Sequence, residues 1–247
     1  TAPAKSIEIL LKKANLKNKS VLLRIDINSP VVNGKILDNQ RFEASARTIR
    51  YLINKNAKIT IIAHQGRKGK SDFLSLQQHS RILSKYIKNK VKYIDDLFGE
   101  KAKSEIQSLK SGEILLLKNV RSFKDEENLA SNNYKEFCGL FDVYINEAFS
   151  VSHRTQGSII LPPKYLKTYF GLEFEKEIKA LNKFKESKQD SKIFILGGSK
   201  VEDYFPIFKL LNNKNKLIAG GILANLFLII KGHNLGFEYT WLKQHKY

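Results

Sequence analysis

VLLRIDINSPVVNGKILDNQR, residues 21–41, decides how the rest of the chain is read. Its apolar run at 21–25 brings Asp26 and Asn28 to the point where a strand stops and a turn at Pro30 begins, and Arg41 opens a helical pattern. Polar groups at the carboxyl end of a buried strand form a binding rim in open α/β sheets. On these residues alone a capped strand end with a surface arginine explains the pattern equally well. The stretches that follow decide between the two.

They repeat the same grammar. Phe42, Ala46, Ile49 and Ile53 stand at helical spacing, which predicts a helix over 42–54 that Asn56 ends. Residues 58–63, KITIIA, read as a second strand running into His64-Gln65-Gly66-Arg67. Leu76, Leu83 and Ile87 mark a further helix, with His79 on its apolar face as a packed rather than a catalytic histidine. A short strand at 91–94 and a helix over 102–109 lead to 113–117, EILLL, which is apolar enough to be a central strand ending at Lys118-Asn119-Val120-Arg121. A helix over 132–138 and a strand at 143–145 then lead to NEAFSVSHR, residues 146–154. Strands alternating with helices predict an α/β fold, a parallel sheet covered by helices in the Rossmann-like manner.

Arg41, Arg67, Arg121 and Arg154 therefore all fall just beyond the carboxyl ends of strands, and in a parallel sheet those ends converge on one crevice. Four guanidinium groups facing each other repel unless an anion sits among them, and arginine suits bidentate grip on phosphate or carboxylate. The pattern predicts a small polyanionic ligand.

Composition narrows the alternatives. With 247 residues, 42% of them hydrophobic, the chain can bury a real core in one large domain or two modest ones. No apolar run reaches the roughly 20 residues of a membrane span, and the opening TAPAKSIEILLKK has no signal-peptide cleavage pattern, so a soluble, cytoplasmic protein is expected. Cys138 is the only cysteine and the five histidines are scattered, which argues against disulfides and a bound structural metal. The net charge of +19 invites nucleic acid, yet the lysines and arginines are dispersed rather than blocked, and most read as solvated helix faces. Gly69-Lys70-Ser71 imitates the end of a nucleotide P-loop, but the first glycine that such a loop requires falls on His64. GRKGKSD reads instead as an exposed basic loop.

After the Pro162-Pro163 break, residues 173–184 form a helical pattern, and strands at 192–196 and 216–219 run into Gly197-Gly198-Ser199-Lys200 and Gly220-Gly221. Glycine-rich strand-to-helix turns let backbone N–H groups approach phosphates, and Lys200 adds a charge. Glycine pairs also simply end strands.

DINSP with Arg41 downstream, HQGR at 64–67, NVR at 119–121, NEAFSVSHR at 146–154 and ILGGSKVED at 195–203 resemble, in order, the successive motifs of the phosphoglycerate kinases, and DINSP resembles the archaeal branch. The resemblance runs from about residue 20 to 236. It implies a two-domain α/β kinase: an N-terminal acid-binding domain over 1–172, an interdomain hinge helix over 173–187, and the start of a nucleotide-binding domain over 188–247. It implies reversible phosphoryl transfer between 1,3-bisphosphoglycerate and ADP, giving 3-phosphoglycerate and ATP, with Mg²⁺ carried by the nucleotide. By the same resemblance Asp26, Asn28, Arg41, His64, Arg67, Arg121 and Arg154 hold the three-carbon acid, and Arg41 and Lys200 meet the moving phosphoryl group. Gly197, Gly198, Lys200, Gly220 and Gly221 line the nucleotide side, and a monomer or homodimer is expected.

Physical chemistry fits those roles, since phosphoryl transfer needs positioning and cancellation of spread negative charge more than a nucleophilic triad. The sequence also departs from the family. Lys118 and Ser122 replace the acidic and aromatic residues that usually flank NVR, Tyr204 stands where many relatives have a second lysine, and Ile222 where many have a third glycine. Nothing up to Tyr247 resembles the GGGDT-type loop, the remaining adenine-site elements or the closing C-terminal helix. A second domain incomplete in this chain is therefore expected, and two other readings stay open: a pseudoenzyme or phosphate-ligand binding module, and a nucleic-acid binder.

Overall fold

The computed structural model describes residues 11–186, 192–198 and 200–245. The chain divides into two compact units, Thr1–Asn182 and Lys183–Tyr247.

In the first unit β1 (Ser20–Arg24) leads to a two-stranded hairpin, β2 (Val31–Val32) and β3 (Lys35–Ile36), and then to α1 (Gln40–Asn54) and β4 (Lys58–Ile62). Next come α2 (Gln77–Ile87), β5 (Val91–Ile94), α3 (Glu100–Ser108), β6 (Ile114–Leu117), α4 (Asn132–Cys138) and β7 (Val143–Asn146). Two short helices, α5 (Gly157–Ile160) and α6 (Pro162–Tyr165), precede β8 (Lys167–Phe170) and α7 (Leu172–Glu186). Six strands form one sheet in the order β5-β6-β4-β1-β7-β8. Every pairing in it is parallel, with Arg24 opposite both Ile62 and Asn146.

This order has a functional consequence. From β1 the chain moves outward to β4 on one side and later returns to β7 on the other, so β1 and β7 flank the point where the winding reverses. Ligands of open parallel sheets bind in the crevice outside the strand ends at such a switch point.

Both faces of the sheet are covered, which explains the near-continuous apolar runs of β1, β4, β6 and β7. Successive residues of a strand point to opposite faces. Val21, Leu23 and Ile25 accordingly join a core with Phe42, Ala46, Ile49 and Leu83 from α1 and α2. Leu22 joins Ile62, Leu117, Tyr134, Phe137 and Tyr144 on the other face. Arg24, two residues beyond Leu22, belongs by the same alternation to that second face, and it is fully buried.

The predicted elements and the observed ones agree in type. The helix expected over 102–109 begins earlier, because Asp96 accepts from the backbone N–H groups of Gly99 and Ala102 and holds the first turn together. The hairpin at Val31–Ile36 and the strand β8 are additions to the sequence reading. Asn33 and Gly34 both take positive φ there, +49° and +72°, as a tight two-residue hairpin turn requires.

In the second unit β9 (Ile193–Leu196) pairs in parallel with β10 (Lys216–Ala219). Between them lies α8 (Phe205–Phe208), and α9 (Gly221–Ile230) and α10 (Phe237–Gln244) follow. Leu196, Val201 and Leu223 form a small core with Phe194, Tyr204, Phe208 and Leu226 around it. The opposite side of this pair, carrying Ile193, Ile195 and Ile218, is exposed among the described residues. The unit boundary at Asn182 and Lys183 falls inside α7, the helix expected as an interdomain element. The expected limit at 187/188 and the opening residues 1–10 lie outside the described residues.

Candidate functional site

The rim is built from side chains that the strand ends deliver and that hold one another. After β1, Asp26 accepts from the backbone N–H of Asn28 at 3.1 Å and pairs with the Arg41 guanidinium, while the Ser150 hydroxyl donates to the same carboxylate. Asn39 caps α1 by accepting from the backbone N–H of Arg41 at 2.9 Å, which fixes where that arginine leaves the helix. Asn28 Oδ1 accepts from the backbone N–H of Gly66 at 2.8 Å, tying the end of β1 to the loop after β4.

That loop is held from several sides. Gln65 donates to the carbonyls of Ser29 and Asp72 at 2.9 and 3.0 Å, and its Oε1 accepts from Ser29 N–H and His79 Nε2. His79 is buried beside Phe42, and burial lowers its pKa to about 4. It is thus the packed helix histidine expected from the sequence, with the added task of holding Gln65. Asn119 reaches across to donate to the carbonyls of Gln65 and Leu74, and accepts from the Arg121 N–H. Arg121 Nη1 donates to the Gly66 carbonyl. Gly66 itself sits at φ +64°, with a Cβ built there 2.2 Å from the Asp72 carbonyl oxygen.

Arg67, Arg121 and Arg154 converge on one cavity of about 310 Å³, which Lys68, Lys124, Phe123, Glu126, Glu127 and Gln156 complete. Burial, and after it the neighbouring Arg154 and Arg24, pulls the Arg121 pKa down from its ordinary value. Arg154 Nε is buried with no hydrogen-bond partner among the described residues. Of the two carboxylates at this cavity, Glu126 is buried and engaged by Ser158 and by the Tyr134 hydroxyl at 2.7 Å.

The fourth arginine stands slightly apart. Arg41 lines two adjoining hollows, one with Asn28, Ser29 and Asp72 and one with Asp26, Ser150 and Glu147. The sequence pattern put four arginines around one cavity, whereas three share it and Arg41 is drawn aside by Asp26. His64, almost wholly buried, lies within the reach of the Arg41, Arg121 and Arg154 charges.

Beneath the rim is a layer that the motifs did not show. Arg24 sends Nε to Ser158 Oγ at 3.0 Å, Nη1 to the Ile25 carbonyl and Nη2 to His64 Nδ1 at 3.1 Å. Ser158 Oγ donates in turn to Glu126 at 2.8 Å. An arginine within an apolar strand run was the available signal, because alternation points it inward wherever both faces are covered. Lys118, a departure from the family pattern, pairs with Asp95 at 3.3 Å.

The glycine turns of the second unit also meet. A Cβ on Gly197 would lie 3.5 Å from the Gly220 backbone, and one on Gly221 would lie 3.4 Å from Gly198 N. Gly220 caps α9 in an extended conformation. The Tyr204 hydroxyl donates to the Gly197 carbonyl, so this departure braces the turn. Lys200 is exposed, and Ser199 lies outside the described residues.

A family model described as phosphoglycerate kinase matches residues 11–246. The chain belongs to the phosphoglycerate kinase family. It is 42% identical over 239 residues to the phosphoglycerate kinase of Sulfurisphaera tokodaii, covering 92% of this chain and 58% of that protein. Identity is also 42%, over 232 residues, with the phosphoglycerate kinase of Saccharolobus solfataricus, covering 90% of this chain and 57% of that protein. The crystal structure of phosphoglycerate kinase from Pyrococcus horikoshii is similar at a TM-score of 0.91 and 36% identity, across 96% of this chain and 61% of that one. The resemblance to archaeal members of the family therefore extends from motifs to whole-chain similarity. The chain spans less than two thirds of the length of these relatives.

No helix among the described residues is long and apolar enough to cross a membrane. No group of three His, Cys, Asp or Glu residues suited to a metal occurs among them.

Proposed function

We propose that the first unit binds 3-phosphoglycerate and 1,3-bisphosphoglycerate as the acid-binding half of a phosphoglycerate kinase, transferring a phosphoryl group reversibly to ADP. The observation that carries this reading is the convergence of Arg67, Arg121 and Arg154 on one cavity, with the buried Nε of Arg154 unpartnered among the described residues. Three guanidiniums match a phosphate, each able to offer two parallel N–H bonds. The opposite end of a three-carbon acid then extends toward Asp26, Asn28 and His64.

Arg41 has a different task in this reading. Paired with Asp26 at the rim, it serves the acyl-phosphate end and offsets the charge that spreads over the phosphoryl oxygens during transfer. Gly197, Gly198, Gly220 and Gly221 approach the nucleotide phosphates through backbone N–H groups, and Lys200 adds its charge there. Mg²⁺ enters with ADP or ATP as part of the substrate. We assign α7 the role of interdomain helix, with an acid-binding domain over 1–172 before it. A place in sugar-phosphate metabolism carries with it a cytoplasmic location.

The test is turnover of the full-length enzyme carrying Arg41→Ala. Turnover should fall by about a hundredfold or more, with a smaller loss in acid affinity, because the interaction strengthens as the phosphoryl group moves. A variant that loses affinity and keeps turnover would make Arg41 a ground-state anchor and remove it from the transfer step.

A further inference from the structure

We propose that Arg24 is a positioning residue: it holds the His64 imidazole with its proton on Nε2, so that His64 meets the three-carbon acid as a neutral hydrogen-bond donor and not as a cation. The proposal rests on the reading of this crevice as an acid site.

A guanidinium carries five N–H donors and no acceptor. The 3.1 Å contact between Arg24 Nη2 and His64 Nδ1 therefore has one polarity, with Nδ1 accepting. A ring that accepts at Nδ1 carries its single proton on Nε2. No acceptor for Nε2 occurs among the described residues, which leaves that N–H as the unused donor of the ring.

Arg24 is fixed in this posture. Its Nε and Nη1 are taken by Ser158 Oγ and the Ile25 carbonyl, and the side chain has no exposed surface. Ser158 is locked by Glu126 through both its N–H and its hydroxyl, and its carbonyl accepts from the Tyr144 hydroxyl at 2.9 Å.

The surrounding charges favour the same form of the ring. Desolvation first, and then Arg24, Arg121, Arg154 and Arg41, lower the His64 pKa to about 2. Of the nearby carboxylates, Asp26 is engaged by Arg41 and Ser150, and Glu126 by Ser158 and Tyr134. An imidazolium would also direct a second N–H at the Arg24 guanidinium. Acid binding should in consequence lack a histidine titration near pH 6.5, the ordinary range of that side chain.

The experiment is nitrogen-15 spectroscopy of the protein labelled at histidine, from about pH 8 down to about pH 5. The expected result is a His64 ring protonated at Nε2 throughout. A ring protonated at Nδ1, or one that titrates near pH 6.5, overturns the proposal. Two variants carry the same question to binding: the amide nitrogen of His64→Gln reaches the place of Nε2, and that of His64→Asn reaches only the place of Nδ1. Calorimetry with 3-phosphoglycerate should find His64→Gln within about threefold of wild type and His64→Asn at least about tenfold weaker, the scale of one hydrogen bond. Equal losses in the two, or a stronger Asn variant, contradict the donor role. Arg24→Met should release the tautomer, and an unchanged ring in a folded Arg24→Met protein contradicts the positioning role. Should that variant fail to fold, the wild-type spectrum and the His64 pair still decide. Failure of wild type to bind 3-phosphoglycerate would instead overturn the reading of the site, and the tautomer measurement is independent of that result.

Discussion

Replacing Gly66 with alanine should weaken 3-phosphoglycerate binding by at least about a hundredfold, whereas the same change at Gly69 should leave affinity within about threefold. Both glycines have positive φ, +64° and +81°, so both alanines incur roughly 1–2 kcal/mol of backbone strain. The difference lies in what surrounds them. A Cβ at Gly69 meets nothing within 4 Å, while one at Gly66 lies 2.2 Å from the Asp72 oxygen and 2.6 Å from the Phe73 nitrogen. Those are backbone atoms that cannot rotate away, so residues 66–73 must move. Gly66 also receives Arg121 at its carbonyl and gives its N–H to Asn28, so two proposed acid contacts move with it. Calorimetry on both variants checks this, with circular dichroism to show that each is folded. Equal affinity in the two would mean that the loop does not set the arginine geometry.

The second large effect is on stability. Glu126→Ala should lower it by about 3–5 kcal/mol, because the change breaks a buried charged network by removing one partner. Glu126 is buried and accepts from the Tyr134 hydroxyl and from the N–H and hydroxyl of Ser158. Without it those donors are left unsatisfied, and the charge of Arg24 loses the carboxylate that faces it through Ser158. For a domain of this size that corresponds to a fall in Tm of roughly 6–20 °C. A change of a degree or two by calorimetric unfolding would show that water or a neighbouring side chain replaces the carboxylate at little cost.

The sequence carried the sheet and its rim because both follow from short-range patterns. Runs such as KITII and ILLL are apolar without alternation, as strands covered on both faces must be, and the polar residues that end them mark the open edge. Arg24 was hidden by the same logic. In VLLRI it passes as one position of an apolar run, and only the packing of Tyr134, Tyr144 and Ser158 over that face makes it a buried cation. The partners Glu126 and Ser158 lie more than a hundred residues downstream in helical segments of three and four residues, too short for periodicity to signal them. The strand β8 escaped because KTYF lies at the sheet edge, is only four residues long and has one buried residue, Tyr169. The position of Arg41 depends on its ion pair with Asp26, a competition between side chains that spacing along the chain does not express.

The central claim is that Arg67, Arg121 and Arg154 form the phosphate end of a three-carbon acid site. Calorimetric titration of 3-phosphoglycerate into the wild-type protein and the three single alanine variants tests it most directly. The account predicts one site in the wild type and a loss of about 10- to 150-fold in each variant, the value of one charge-assisted contact. Absence of binding to the wild type, or unchanged affinity in all three variants, would contradict it.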